Sequence, residues 1–390
     1  MKRWRNKQNR LFWMIAGMLG AIVALSGCAG GKLRHESWPG LMVNDGIVYA
    51  ANLERVQALD AETGKWYWSY PPESDTNVRP FYSTPVLAPD AGTNGLLLIA
   101  GFKDRVVYAL ELGESPTEQP DLAWTFPPAD GTTLGAAGQY VGSGTVAGDL
   151  FLIGNGDGKV YALNLADGAL VWTFTTKDRV WAAPVVKDDV VYIGALDHHL
   201  YAVDLTSGKE LWQFETRGAI AATPVFVGDF LWVGDFAKTL YQIDLETRTA
   251  VWTYDTTDWV WATPVVDGNI LYFADVGGHV YALDTETRTM LWDNPTGVDD
   301  SVRGRPVLNT EGDRLFIAGY EKGAIHVLDT ETGDKMNWGV ELANPGRLPG
   351  DLATDGAQLY TMPIWVTERV RTFEMVSGKV AWTYPVAESK

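Results

Sequence analysis

Cysteine is nearly absent from this 390-residue chain, and basic residues are outnumbered by acidic ones. Cys28 is the only cysteine, so the remainder of the chain can form no intramolecular disulfide and no cysteine metal cluster. The chain has 31 Lys and Arg against 49 Asp and Glu, and the resulting net charge of −18 disfavours nucleic acid as a partner. Stability must therefore come from the burial of apolar groups.

Long apolar runs are also scarce, and the most prominent one lies near the N-terminus. Five basic residues at positions 2–10 precede an apolar run from Leu11 to about Ala24. This run is shorter than the roughly 20 residues that a membrane-spanning helix needs. Basic residues followed by a short apolar run are typical of an export signal, which we place at residues 1–27.

The end of this segment predicts a lipid anchor. Leu25-Ser26-Gly27-Cys28 resembles the bacterial lipobox, in which cleavage leaves a lipidated cysteine, so Cys28 is the expected attachment site and residues 28–37 a short tether. An uncleaved membrane anchor is the alternative. Ala29 does not match the Asp signal that retains lipoproteins at the inner membrane. We therefore expect the periplasmic face of the outer membrane where there is one, and otherwise the outer face of the cell membrane.

A repeat of about 40 residues accounts for the remainder of the chain. Each unit has a strand motif such as VYALD, then a turn such as AETG or TSG, then a tryptophan. The eight tryptophans are Trp68, Trp124, Trp172, Trp212, Trp252, Trp292, Trp338 and Trp382. Each unit is predicted to form four short strands with no helix-period segment between them. This predicts an all-β fold, an eight-bladed β-propeller over residues 38–390 with the tryptophans in its core; an open solenoid is the alternative.

The motif VYALDxxTGxxxW resembles that of the pyrroloquinoline-quinone (PQQ) repeat propellers. This superfamily contains quinoprotein dehydrogenases and the non-enzymatic outer-membrane assembly lipoprotein BamB. The dehydrogenases often carry an adjacent cysteine pair and bind calcium, and this chain departs from them at the cysteines, so no cofactor and no catalysis are expected. The resemblance to BamB implies a monomeric, lipid-anchored scaffold for a cell-envelope protein, with the barrel-assembly machinery as candidate partner. A PQQ- and calcium-dependent oxidoreductase is the alternative.

Residues that differ between the units are the candidates for function. Three residues before the position of the proline that opens a unit, at the expected mouth of the central channel, the eight aligned units carry Trp38, Tyr82, Val141, Trp181, Ala221, Trp261, Arg303 and Pro349. The units of Trp38, Val141 and Pro349 lack the proline and are placed by alignment alone. Trp, Tyr and Arg dominate binding hot spots. We therefore predict that the partner-binding residues include Tyr82, Trp181, Trp259, Trp261, Arg303 and Arg305. Two alternatives remain: the rings plug the channel or pack between blades, or they stack on sugars in a carbohydrate-binding propeller.

Acidic residues recur in the turns before the VYAL-type strands, which should emerge on the same face. Asp197, Asp235 and Asp275 are predicted to attract a basic partner there. The alternative is turn chemistry, because Asp hydrogen-bonds its own backbone in tight turns. Adjacent His198 and His199 would point to opposite faces of a strand, so no metal site is expected at this pair.

Overall fold

The computed structural model describes residues 40–51, 55–72, 81–128, 135–339, 345–364, 366 and 369–385. These residues form eight antiparallel sheets from 32 strands. None of these residues belongs to a helix with the length and hydropathy of a membrane span. The expected export signal, the lipid site Cys28, the tether and Trp38 lie outside the described residues.

Each sheet is one blade, and in every blade the first strand lies nearest the channel. The first four blades comprise β1 (Gly40–Asn44), β2 (Ile47–Ala51), β3 (Val56–Asp60) and β4 (Trp66–Tyr70); β5 (Val86–Ala88), β6 (Leu96–Ala100), β7 (Val107–Glu111) and β8 (Asp121–Phe126); β9 (Gly144–Ala147), β10 (Leu150–Gly154), β11 (Lys159–Asn164) and β12 (Leu170–Thr175); and β13 (Val185–Lys187), β14 (Val190–Gly194), β15 (His199–Asp204) and β16 (Glu210–Glu215). Their middle strands are almost wholly buried because each is covered by a blade on either side.

The second half of the ring repeats this plan with two irregular blades. Its strands are β17 (Val225–Val227), β18 (Phe230–Gly234), β19 (Thr239–Asp244) and β20 (Thr249–Asp255); β21 (Val265–Asp267), β22 (Ile270–Ala274), β23 (His279–Asp284), β24 (Thr289–Met290) and β25 (Thr296–Gly297); β26 (Val307–Leu308), β27 (Arg314–Ala318) and β28 (Ile325–Asp329); and β29 (Ala353–Thr354), β30 (Gln358–Thr361), β31 (Val370–Glu374) and β32 (Val380–Tyr384). Pro295 lies between β24 and β25, where a residue without an N–H cannot continue the ladder. In blade 7 only a bridge between Leu328 and Lys335 follows β28.

The core consists of apolar clusters, each shared by two neighbouring blades. One of them joins the last blade to the first, where Leu41 and Val48 pack with Tyr360, Met362 and Trp382. Each four-stranded blade is built from consecutive strands, so the described part of the chain closes by contact between blades 8 and 1 and not by a shared strand. The predicted eight-bladed propeller is confirmed, and the open solenoid is excluded.

The repeat tryptophans lie between the blades, as predicted, although not all to the same depth. Trp68, Trp124, Trp172, Trp292 and Trp382 are buried. Trp212, Trp252 and Trp338 are only partly buried, packed against their neighbouring clusters.

Five tryptophans dock on a glycine of the next blade. Trp172 shows the arrangement: its Nε1 donates to the Leu205 carbonyl at 2.8 Å. A Cβ added to Gly208 would lie 2.6 Å from Cδ2 of the Trp172 indole, closer than packing allows. Gly208 also has φ +68°, a conformation that costs a glycine nothing. The same indole bond and glycine contact recur for the pairs Trp124–Gly168, Trp292–Gly333, Trp338–Gly378 and Trp382–Gly64.

Two of the other turns carry an arginine in place of this glycine, and the tryptophans facing them are partly buried. Arg248 and Arg288 occupy the equivalent positions with φ of 59° and 60°. Trp212 and Trp252, in the preceding blades, are partly buried and do not form the indole bond to the next turn. Among the described turns the indole bond accompanies the glycine, whereas burial does not depend on it: Trp338 has both contacts and is partly buried, and Trp68 is 3% exposed without a docking glycine.

Candidate functional site

In the three residues before each opening proline, successive side chains point alternately toward the channel and between the blades. The first and third line the channel, whereas the second points between blades and is small, as Ala182, Ala222 and Ala262 show at 2%, 1% and 0% exposure. This is the period-two alternation of an extended chain. The alternation brings the first of the three residues, the one that varies between units, to the channel in blades 2 to 8.

The channel mouth encloses a cavity of about 290 Å³. Tyr82, Trp181, Trp261, Arg303 and Arg305 all line it, so the structure brings together five of the predicted residues. The rings leave this cavity open between them and do not fill the channel completely. Trp259 does not line the cavity.

Hydrogen bonds between neighbouring blades join the third-position residues that line the cavity, and we call this row of bonds the belt. The Ala183 N–H donates to Thr223 Oγ1 at 3.1 Å, and the Thr223 N–H donates to Thr263 Oγ1 at 3.2 Å. The same step joins Thr84 to Ser143, and Arg305 to Asp351. The belt fixes the blades relative to one another at the channel.

An aromatic cluster extends from the cavity onto the face of the propeller. Trp181 and Trp261 belong to blades separated by one other, yet their ring centroids are 6.2 Å apart because Ala221 leaves space between them. Phe236 stacks on Trp259, with centroids 5.1 Å apart, and contacts Trp261 at the same distance. Trp259 therefore joins the cluster through Phe236, a residue that the sequence analysis missed.

Arg303 lies over two aromatic rings. Its Cζ lies 3.9 Å from the Tyr320 centroid and 5.5 Å from the Trp261 centroid. Its Nε is buried without a hydrogen-bond partner, and no described carboxylate pairs with its guanidinium. The cation–π contacts stabilise the charge from the ring faces and leave N–H groups available.

Arg305 and Asp351 complete the polar wall. The Arg305 N–H donates to Asp351 Oδ1 at 2.7 Å, and no described carboxylate forms an ion pair with the Arg305 side chain. Asp351 is open to the channel, but burial among the channel walls raises the pKa of its carboxyl, against the backbone bond and charge of Arg305, which lower it. Asp351 and Tyr320 were both missed from sequence. Tyr82, on the far side in blade 2, stacks on Phe102 at 4.0 Å.

The three predicted aspartates lie within turns. Asp197 accepts bonds from the Lys177 N–H and the Tyr201 hydroxyl, both at 2.7 Å. Asp235 and Asp275 are 0% exposed. Any contact between these carboxylates and a partner would have to compete with the hydrogen bonds of the turns.

A sequence profile of the family described as outer membrane protein assembly factor BamB matches residues 117–223 and 197–346, together more than half of the chain. The chain belongs to the BamB family. The predicted resemblance is thus confirmed. BamB from Yersinia pestis is 30% identical over 127 residues, which are 32% of this chain and 29% of that protein. The dehydrogenase subunit of alcohol dehydrogenase (quinone) from Acetobacter aceti is 35% identical over 145 residues, 35% of this chain and 19% of that protein.

These sequence matches span less than a third of either relative, whereas two solved structures match this chain over almost their whole length. The crystal structure of BamB from Moraxella catarrhalis has a TM-score of 0.66 at 18% identity, over 85% of this chain and 95% of that one. A computationally designed protein, Ika8, has a TM-score of 0.69 at 15% identity, over 88% and 98%. At such identities the likeness establishes the fold alone.

Two equivalent aspartates of this BamB-family propeller differ in acidity. Asp235 accepts bonds from Thr239, Tyr241 and Gly218, but burial outweighs them and raises its pKa. Burial also acts on Asp275, yet there a Thr257 hydroxyl at 2.6 Å adds to bonds from the His279 N–H and the Tyr281 hydroxyl, and the pKa is lowered. Asp275 thus contributes to folding as a carboxylate.

Metal ligands are not assembled in the described part of the chain. No group of three or more His, Cys, Asp or Glu side chains there could hold an ion. His199 is engaged locally, with Nδ1 3.0 Å from the Asp197 carbonyl and its ring stacked on Tyr201.

Proposed function

We propose that this BamB-family propeller is a non-catalytic scaffold that binds a cell-envelope protein at the channel mouth during outer-membrane protein assembly. The observation that carries the proposal is the cluster of half-buried Trp181, Trp259, Trp261 and Arg303 on one face. Half-buried rings around an arginine are the composition of binding hot spots, because burying them adds apolar area without ordering flexible chains.

Membership of the BamB family supports an outer-membrane assembly protein as the partner. The distribution of charge supports the channel mouth as the contact site. The protein as a whole is strongly acidic, whereas the mouth places Arg303 and Arg305 in one cavity. A partner with aromatic and acidic groups would complement this site locally, and basic groups on the partner would be steered by the overall field. Lipid attachment at Cys28 and residence on the periplasmic face of the outer membrane are parts of the same proposal.

Cross-linking and affinity purification from native membranes test the proposal. We expect wild type to enrich an envelope protein and Trp181→Ala with Trp261→Ala to lose it, since truncating a hot-spot tryptophan typically costs about 2 kcal/mol or more. Leu211→Ala is the matched control, because Leu211 lies on an outer strand and is 47% exposed. Equal enrichment by the double variant and the control would refute the proposed surface.

The match to the quinone-dependent dehydrogenase makes an oxidoreductase the second candidate. The residues present do not fit a calcium-bound quinone: among the described residues lining the cavity, Asp351 is the only carboxylate, and Arg305 donates to it. Titration of purified protein with PQQ and calcium tests this directly. Stoichiometric binding together with dye-linked alcohol oxidation would overturn the scaffold proposal. Loss of cell-wall polysaccharide binding in the double tryptophan variant would instead support a carbohydrate-binding function.

A further inference from the structure

We propose that the channel cavity is a binding site for a single carboxylate carried on a flat apolar ring. The proposal rests on the proposed function only in sharing its residues, and it concerns the ligand that these residues would hold. Three observations carry it: arginines without ion pairs, aromatic walls, and the size of the cavity.

The first observation is uncompensated positive charge. Neither Arg303 nor Arg305 pairs with a described carboxylate, and the Arg303 Nε is buried without an acceptor. Tyr320 and Trp261 lie against the Arg303 guanidinium and its Nε is buried, so a ligand in the cavity would approach the terminal Nη groups. A guanidinium edge matches a carboxylate in shape and offers two parallel hydrogen bonds.

The balance of charge favours a monoanion over a phosphate. Two arginines and Asp351 give the described cavity wall one excess positive charge when the carboxyl is ionised. A carboxylate would neutralise that excess. A phosphate dianion would exceed it, within a protein that is already strongly acidic.

The second observation is the apolar wall beside the arginines. Trp181 and Trp261 meet above Ala221 with an interplanar angle of 32°, and Tyr82 lies on the opposite side of the cavity. These rings offer faces and edges to an aromatic group in offset or edge-on geometry. The hydroxyls of Thr223 and Thr263 accept backbone bonds of the belt and each keeps an O–H to donate.

The third observation is size. The cavity of about 290 Å³ is at the small end of ligand pockets. It corresponds to about ten water molecules at roughly 30 Å³ each. One ring with its carboxylate fits this volume. Such a group exists in two sources, a free aromatic acid and the carboxyl terminus of a polypeptide that ends in an aromatic residue.

Calorimetric titration of the purified full chain tests the site. The probes are N-acetyl-phenylalanine, its amide, and a ten-residue peptide ending in phenylalanine with a free or an amidated carboxyl group. We expect the free carboxylates to bind at least tenfold more tightly than their amides. Peptide binding tenfold tighter than that of the small acid would identify a chain end as the ligand, and equal affinity would identify a free acid.

Charge variants give opposite signs that a misfolded protein could not mimic. Arg303→Gln should weaken binding at least tenfold, whereas Asp351→Asn should strengthen it several-fold by removing the competing carboxylate while keeping an acceptor for the Arg305 N–H. Arg248→Gln is the matched control, because it changes the net charge equally on an exposed turn outside the cavity lining. It should alter affinity less than twofold.

Several results would overturn the proposal: no binding of any carboxylate at millimolar concentration, equal binding of acid and amide, equal effects of Arg303→Gln and Arg248→Gln, or tighter binding of inorganic phosphate. Failure of the carboxylate-site proposal is distinguishable from failure of the scaffold proposal. The titration needs no envelope protein, and the purification from membranes needs no carboxylate.

Discussion

Replacing Gly208 by alanine should destabilise the propeller far more than replacing Gly228. Both glycines have positive φ, +68° and +56°, so alanine incurs backbone strain of about 1–2 kcal/mol at either position. A Cβ at Gly228 would meet nothing within 4 Å. Gly228 therefore measures the strain alone.

At Gly208 the added Cβ also collides with a docked ring. It would lie 2.6 Å from Trp172 Cδ2 and 2.7 Å from Cγ, so the indole must move. Overpacking of this kind costs about 1–3 kcal/mol. Loss of the bond from Trp172 Nε1 to the Leu205 carbonyl adds about 1 kcal/mol. We expect a total of about 3–6 kcal/mol for Gly208→Ala.

Urea denaturation followed by tryptophan fluorescence measures both variants. Gly208→Ala should also shift the native emission to longer wavelength as Trp172 becomes more exposed. In a double-mutant cycle, Trp172→Phe should cost less in the Gly208→Ala background than in wild type, because the docking is already lost. Equal destabilisation by the two alanine variants, or strict additivity in the cycle, would refute the docking argument.

Three further predictions concern the same fold. Gly64→Ala, whose Cβ would lie 2.5 Å from Trp382 Cε3, should increase hydrogen exchange in blades 1 and 8 while blades 4 and 5 stay protected; uniform change would contradict closure by this contact. Arg248→Gly should stabilise the protein by up to about 1 kcal/mol in urea, since it relieves the left-handed backbone, and a loss of stability would argue against strain there. Asp275→Asn should cost about 3 kcal/mol at pH 7 because buried donors lose an ionised acceptor. Because the pKa of Asp275 is lowered in the folded state, its contribution to stability is complete above the unfolded pKa near 4 and is lost as the pH falls through the folded pKa. The difference in free energy of unfolding between wild type and variant should therefore close in acid. A difference that stays constant with pH would refute the assignment.

The residues facing the channel could be found from sequence because their geometry is local. Trp181, Trp261 and Arg303 stand at a constant distance before a proline, and an extended chain alternates its side chains regardless of the partner blade. The aspartates illustrate the opposite case. Whether Asp235 is an exposed charge or a buried acceptor depends on the segment carrying Gly218, which packs over it and donates a bond at 2.8 Å.

Residues missed from sequence act across separate segments. Phe236 follows a strand of blade 5 but stacks on Trp259, which leads into blade 6. Tyr320 likewise faces Arg303 from a different turn of blade 7. Both stand two residues after the second strand of their unit, on the face of the channel mouth, and this shared position is the signal by which they could have been found.

The sequence by itself determined the number of blades and the rows of side chains facing the channel, because both depend on spacing along the chain. The tertiary structure decided which members of those rows act together. The small Ala221 lets two tryptophans from non-adjacent blades meet, and the ring brings Arg303, Arg305 and Asp351 into one cavity. Contacts between blades depend on the volume of what lies between them, and spacing carries no information about volume.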